Sequence, residues 1–266
     1  IPFIARYRKE VTGELSDEVL RNLDERLSYL RNLEDRKEEV LRLIDEQGKL
    51  TEELKKQIQE ASVLQRVEDL YKPFKQKKST RASKAKERGL EPLAEILWAQ
   101  ELESGTPEET AQPFINPELG VETEKDALQG AMDIIAERIS DDPELTAAIR
   151  KLTLEKGLIS SEAADEEEKT SFEMYYHHQE AIAKIPNHRV LAINRGEKEK
   201  KLKVKILPPT EAILELLEKE VIHNRKSIFS SLLQDTLEDA NKRLIAPSME
   251  REMRSMLTER AELEAV

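Results

Sequence analysis

Residues 16–48 read SDEVLRNLDERLSYLRNLEDRKEEVLRLIDEQG, and they predict one long amphipathic helix. Leucines recur there at steps of three and four residues, a spacing that aligns them along one helix face. These leucines are Leu20, Leu23, Leu27, Leu30 and Leu33. Ser16 suits the N-cap, because its hydroxyl can accept a hydrogen bond from a free N–H of the first turn. Gly48 suits the end of the helix.

A second amphipathic helix is predicted to begin after Thr51 and to run to the region of Pro73, which cannot continue it. Its apolar positions again share one face. They are Leu54, Ile58, Ala61, Leu64, Val67 and Leu70. The connection between the two helices is short, so we expect an antiparallel helical hairpin.

The rest of the chain also predicts a mainly α fold, a multi-helix array. Hydrophobic residues make up 38% and charged residues 37%, and the 8 glycines and 4% aromatic residues are fewer than strand-rich folds use. Capping signals at Thr106, Thr123 and Asp142 each predict a helix start. The exception lies near 189–207, where an apolar run followed by strict alternation predicts one small β-hairpin with Gly196 in its turn.

Composition excludes several classes of protein. The chain has no cysteine, which excludes disulfides, thiolate metal sites and a cysteine nucleophile. No apolar run approaches the roughly 20 residues that a membrane helix needs, so we expect no membrane contact and a cytoplasmic location. The net charge of −12 argues against a chain whose whole surface binds nucleic acid.

Motifs for catalysis are missing. The sequence contains neither G-x-S-x-G nor a phosphate-binding loop, and its glycines are scattered singly. His177 and His178 are adjacent, and on a helix they would point to different sides, so they would not easily ligate one ion. We therefore expect no catalytic residue, no metal site, no cofactor and no enzyme activity.

The charge changes sign locally. Residues 72–88 hold eight Lys or Arg and one Glu, net +7, whereas residues 95–126 hold nine acids and one Lys, net −8. Lysine and arginine bind backbone phosphates by charge alone, so the first segment is a candidate nucleic-acid contact. The candidate residues, here called the basic strip, are Lys75, Lys77, Lys78, Arg81, Lys84, Lys86 and Arg88. The alternative is a solvated loop and helix face whose cations pair with the acidic stretch that follows, residues 95–126.

The first ten residues, IPFIARYRKE, offer a second candidate contact through Arg6, Arg8 and Lys9. Arginine beside Tyr7 can stack on a nucleic-acid base. On the residues alone, however, the favoured alternative is packing of the apolar residues at 3–4 with ion pairs to nearby acids.

Six long runs of the sequence resemble the bacterial Tex family of transcription accessory proteins. They are IPFIARYRKEVTG at 1–13, LYKPFKQKKSTRASKAKERGLEPLAE at 70–95, NPELGV at 116–121, ALQGAMDIIAERISDD at 127–142, KIPNHRVLAINRGEKE at 184–199 and DANKRLIAPSMEREMRSMLTERAE at 239–262. The runs span nearly the whole chain in the order that the family shows.

The resemblance implies a multidomain protein whose helical N-terminal region contains a helix-turn-helix-like part. An RNase H-like domain of the YqgF type, helix-hairpin-helix elements and an RNA-binding OB-fold follow in the family. This chain would be the N-terminal helical region. Its expected partners are RNA or DNA, bound mainly through domains absent here, and the transcription machinery.

Together these observations predict four regions and one function. The regions are an N-terminal helical hairpin at 1–70, a helix-turn-helix-like region with the basic strip at 71–185, a β-hairpin at 186–208, and C-terminal helices at 209–266.

The predicted function is a non-catalytic helical scaffold of a Tex-like transcription accessory protein that binds nucleic acid. The alternative is a protein-interaction module that contacts the transcription machinery without touching nucleic acid. The acidic segments 95–126 and 161–180 favour that alternative.

Overall fold

The chain folds into two units, Ile1–Gln76 and a larger unit from Lys77 onward, in a computed structural model that describes residues 1–265. The helices of the first unit are α1 (Pro2–Tyr7), α2 (Lys9–Thr12), α3 (Asp17–Glu46), α4 (Glu52–Glu60) and α5 (Leu64–Tyr71), and a 3-10 turn at Lys72–Phe74 follows them. Neither α3 nor any other helix within residues 1–265 is both long and apolar enough to cross a bilayer.

The predicted long helix forms as α3, and the Ser16 hydroxyl caps it by accepting a hydrogen bond from the Val19 N–H. The second half of its apolar face is buried because α4 and α5 pack there. The core of this unit consists of Leu33, Val40, Ile44, Ile58, Ala61, Val67 and Leu70. On the first half of the same face Leu20 is buried, whereas Leu23, Leu27 and Leu30 remain open to solvent, and Leu23 is 57% exposed.

The predicted second helix is in fact two helices. Thr51 caps α4 as expected, but the helix ends at Glu60, and Ala61 takes an extended backbone conformation. The chain then turns and α5 begins at Leu64, whose free N–H donates to the Tyr29 hydroxyl at 2.9 Å. The break lets both short helices pack against α3, which the apolar spacing alone did not reveal.

The larger unit is built around one buried helix. Its helices are α6 (Arg81–Glu87), α7 (Glu91–Ala99), α8 (Pro107–Ala111), α9 (Glu124–Asp141), α10 (Pro143–Lys156), α11 (Asn187–Lys198), α12 (Thr210–Val221), α13 (Ser230–Asp239) and α14 (Ala246–Glu264). Helices α6, α7, α8 and α13 pack on α9. The apolar residues buried on α9 are Ala127, Leu128, Gly130, Ala131, Ile134, Ile135, Ala136 and Ile139.

Three antiparallel strands form one small sheet, with the order β2-β1-β3. They are β1 (Leu158–Ala163), β2 (His177–Ala181) and β3 (Leu202–Leu207). Ile159 pairs with Ile206, and both are buried, so one face of the sheet joins the core of the unit. The prediction of a mainly α fold with a small β element is confirmed, while the helix-turn-helix-like part stays a prediction.

The predicted β-hairpin at 189–207, assigned to the region 186–208, is wrong in its first half. Residues Asn187–Lys198 form α11, and Val190, Ile193 and Gly196 are its buried face, spaced three residues apart. Gly196 therefore lies inside a helix and packs against Leu202 instead of forming a turn. The second half is a strand as predicted, but it pairs with β1.

The chain between α13 and α14 is continuous helix. Residues Ala240–Ile245 form a π-helical segment, and Pro247 stands in the first turn of α14, as the sequence predicted. Val266, the last residue of the predicted C-terminal region, lies outside the described residues.

Gly130 of α9 leaves space for Ala85 of α6 and for Leu90, the residue before α7. A Cβ atom placed there would lie 2.3 Å from Leu90 Cδ1 and 3.3 Å from Ala85 Cβ, and Leu90 is fully buried and has little room to move. We predict that Gly130→Ala lowers the free energy of unfolding by about 1–3 kcal/mol through overpacking, even though alanine is the better helix former. Denaturant unfolding measures this. Lys125→Ala on the same helix is the control, with a change within about 0.5 kcal/mol; an unchanged or raised stability of Gly130→Ala would contradict the packing described.

Candidate nucleic-acid interface

Helix α6 carries Arg81, Lys84 and Lys86 of the basic strip, and Arg88 is its C-cap residue. Thr80 and Ser83 form a reciprocal cap: the Thr80 hydroxyl accepts from the Ser83 N–H at 3.0 Å, and the Ser83 hydroxyl accepts from the Thr80 N–H at 2.8 Å. A serine therefore takes the place that a glutamate often holds in a capping box, and no acid stands in the first turn. The buried face of α6 consists of Ala82 and Ala85, and the cations of the helix, Arg81, Lys84 and Lys86, are exposed.

Five cations of the strip are exposed and form no ion pair within residues 1–265. They are Lys78, Arg81, Lys84, Lys86 and Arg88. Arg81, Lys84 and Arg88 are spaced three and four residues apart, so they form one row along α6. The Arg88 guanidinium lies against the turn at Gly120, 3.8 Å from the position that a Cβ would take there. We call these five residues the α6 ridge.

Lys77 differs from the ridge because carboxylates of α9 hold it. Its Nζ lies 3.1 Å from Glu137 Oε1 and also bonds Asp141. Partial burial alone would lower the pKa of Lys77, but the two carboxylates outweigh burial, and the pKa is raised above its ordinary value. Lys77 therefore stays protonated, and carboxylates within the larger unit compensate its positive charge.

Lys75, in the first unit, is also paired. Its Nζ lies 3.4 Å from Glu68 Oε2 and 5.7 Å from the centre of the Tyr71 ring. The sequence left open whether the strip pairs with acids, and pairing applies to this lysine and to Lys77. Their partners come from α5 and α9, outside the acidic segment 95–126.

The carboxylates of α9 next to α6 have further cationic partners. Arg243 lies 3.9 Å from Asp133 Oδ1 of α9, and it also lies 2.9 Å from Asp239 Oδ2 of α13. Burial raises the pKa of Asp133, and the charges of Arg243 and Arg81 oppose that rise. Sequence inspection missed Arg243, because nothing in its neighbourhood along the chain indicates that it faces α9.

The second candidate contact is exposed as well. Arg6, Arg8 and Lys9 lie at the surface of the first unit and form no ion pair within the described residues. Phe3 and Tyr7 are 62% and 65% exposed, and their ring centres are 5.1 Å apart. The favoured alternative from the sequence, apolar packing of residues 3–4, is therefore wrong, since α3 offers these side chains too little cover.

His177 and His178 lie on strand β2 and not on a helix. Side chains alternate along a strand, so the two rings still point to opposite faces. His177 Nε2 is 3.5 Å from Glu166 Oε1, and His178 Nε2 is 3.0 Å from Glu180 Oε2. Within residues 1–265, no group of three or more His, Asp or Glu side chains is arranged to hold a metal ion.

Fold and surface together define a helical module with a small antiparallel sheet and a cationic ridge. The sequence matches the family model described as Tex central region-like over residues 103–266, and the Tex-like protein N-terminal domain over residues 1–45. The chain belongs to the Tex family.

Individual relatives agree with this assignment. The chain is 49% identical to YdcI of Bacillus subtilis (strain 168), covering 100% of this chain and 37% of that protein. It is 38% identical to the transcriptional accessory protein Tex of Neisseria gonorrhoeae, covering 100% of this chain and 36% of that protein. With the human S1 RNA-binding domain-containing protein 1 it shares 31% identity over 100% of this chain and 28% of that protein. The chain thus spans about a third of the length of these relatives.

The ion pairs of Glu68 predict a pH dependence of stability. Burial raises the pKa of Glu68, but the hydrogen bond and charge of Arg36, together with Lys75, outweigh burial and leave the pKa below 4.5. A lowered carboxyl pKa contributes stability that is present above pH 4.5 and is lost as the pH falls through the folded-state pKa. We predict that Glu68→Gln costs about 1 kcal/mol at pH 7, and that this cost shrinks below pH 4.5.

Unfolding of wild type and Glu68→Gln at several pH values between 3 and 7 tests this. Glu38→Gln, which removes an exposed carboxylate of α3 that forms no ion pair within the described residues, is the matched control and should follow wild type at every pH. A Glu68→Gln cost that stays constant down to pH 3 would contradict the account.

Proposed function

We propose that this chain is a non-catalytic helical scaffold region of a Tex-family transcription accessory protein, and that its α6 ridge contacts the phosphate backbone of RNA or DNA. The proposal rests on a contrast between the residues of the basic strip. Lys75 and Lys77 are held by carboxylates, while Lys78, Arg81 and the rest of the ridge are exposed and form no ion pair within residues 1–265.

Local charge matters more for such contact than the net charge of −12. At physiological ionic strength, exposed charges separated by more than about 8 Å are largely screened from each other. The acids nearest α6 on α9 already pair with Lys77 and Arg243. A phosphate approaching the ridge therefore meets cations whose charge is available.

The relatives support the proposal through their names. One is called a transcriptional accessory protein, and another is named for an S1 RNA-binding domain. These names describe proteins about three times as long, so we place the main nucleic-acid contact in other domains and a supporting contact here. The non-catalytic part of the proposal agrees with names that describe accessory proteins. We further propose that Arg6, Arg8 and Lys9 add a second contact, and that the protein acts in the cytoplasm beside the transcription machinery.

Removal of ridge charges tests the contact. We predict that the triple variant Lys78→Ala, Arg81→Ala and Lys84→Ala binds single-stranded RNA and duplex DNA at least tenfold more weakly at low salt. Each lost phosphate contact should also flatten the dependence of log K on log salt concentration by about 0.7 to 0.9. Fluorescence anisotropy over a salt series measures both quantities for each polymer.

A matched variant removes the same charge elsewhere. Lys198→Ala, Lys203→Ala and Lys205→Ala takes away three exposed lysines on α11 and β3 and should bind within twofold of wild type. Equal weakening of the two variants would contradict a ridge contact, because it would indicate attraction by charge spread over the surface. Absence of binding by wild type would also contradict it, and would favour the alternative function of contacting proteins alone.

A further inference from the structure

The two edges of the sheet differ in their protection. At the outer edge of β3, the Ile206 N–H donates to Glu250 Oε1 of α14 at 3.2 Å, so a helix covers that edge. At the other edge, β2 contacts β1 and the turn Glu173–Tyr175, and within residues 1–265 no strand pairs with its outer side.

The register shows which backbone groups of β2 are open. The Ala163 N–H donates to the Tyr176 carbonyl, and the Ile182 N–H donates to the Gly157 carbonyl. Because antiparallel pairs alternate between bonded and non-bonded, the backbone of His178 and Glu180 faces β1. The N–H and C=O groups of His177 and Gln179 therefore point outwards, and they have no protein partner within the described residues.

Strand β2 lacks two of the residue types that commonly block addition of a strand, lysine and proline. Natural edge strands are commonly protected by lysine, proline, a bulge or a covering element. Residues 177–181 read HHQEA, with no lysine or proline. The side chains of His177 and Gln179 are exposed, and Met174, just before the strand, is 72% exposed and offers an adaptable apolar contact.

The surroundings of this edge are acidic. Residues 161–180 hold seven acids and one Lys, net −6. The β1–β2 loop reaches the edge itself, since Glu166 Oε1 lies 3.5 Å from His177 Nε2. Within the described residues, Glu168 pairs with Lys201 and Glu180 with Arg189, whereas Asp165, Glu167 and Glu173 form no ion pair. The unpaired acids favour a cationic partner and disfavour a phosphate backbone.

We infer that the outer edge of β2 binds an extended, lysine- and arginine-rich segment of a protein partner by strand addition. The backbone groups of His177 and Gln179 supply the hydrogen bonds, and the acids of the β1–β2 loop select the charge. This contact is independent of the proposed nucleic-acid contact, because it uses a different surface and the opposite charge.

Gln179→Pro tests the inference directly on the whole 266-residue chain. Proline removes the outward N–H of residue 179 while leaving every β1–β2 hydrogen bond and the net charge intact, and an edge position tolerates it. The probe is an eight-residue capped peptide in which lysine alternates with valine. We predict that wild type and the control Gln179→Ala bind it equally by calorimetry, and that Gln179→Pro binds at least tenfold more weakly.

Peptide binding by Gln179→Pro at wild-type affinity would overturn the inference, because it would show attraction by charge without strand pairing. Equal binding of a peptide with glutamate in place of lysine would overturn the charge selection. If Gln179→Pro folds poorly, amide hydrogen exchange of the wild type provides a second test. The lysine peptide should slow exchange of the His177 and Gln179 amides, and unchanged exchange at both would also overturn the inference.

Discussion

The close packing of α6 on α9 is the constraint on which the larger unit and its candidate site depend. Gly130 of α9 leaves room for Ala85 of α6 and for Leu90, the residue before α7, so α6 approaches α9 without an intervening side chain. A short helix held this closely can bury only small residues, here Ala82 and Ala85, and its long cationic side chains are left outside. The same contact that stabilises the unit therefore creates the α6 ridge.

Local hydrogen bonding made many helix boundaries predictable from the sequence. Thr106, Thr123 and Asp142 each cap a helix where expected, because capping depends only on neighbouring residues. The sheet was less predictable. The apolar run within α11 fits a buried helix face as well as a strand, and β2 is too polar to show a strand pattern. Those two elements are decided by partners distant along the chain.

The candidate site shows the same division between local and distant information. A count of lysine and arginine found the basic strip, but no count could separate Lys77, held by two carboxylates of α9, from Lys78, which has none. That distinction depends on residues about sixty positions away. The open edge of β2 was equally hidden, since it follows from a pairing order that only the fold reveals.

Footprinting of lysine side chains by acetylation, with and without single-stranded RNA, distinguishes contact at the α6 ridge from contact elsewhere, because each lysine is read separately. We expect RNA to protect Lys78, Lys84 and Lys86, while Lys77 should react slowly in both states because Glu137 and Asp141 hold its protonated amine. Protection that is absent from these three residues, or that falls on the lysines of α11 and β3 to the same extent, would contradict contact at the α6 ridge.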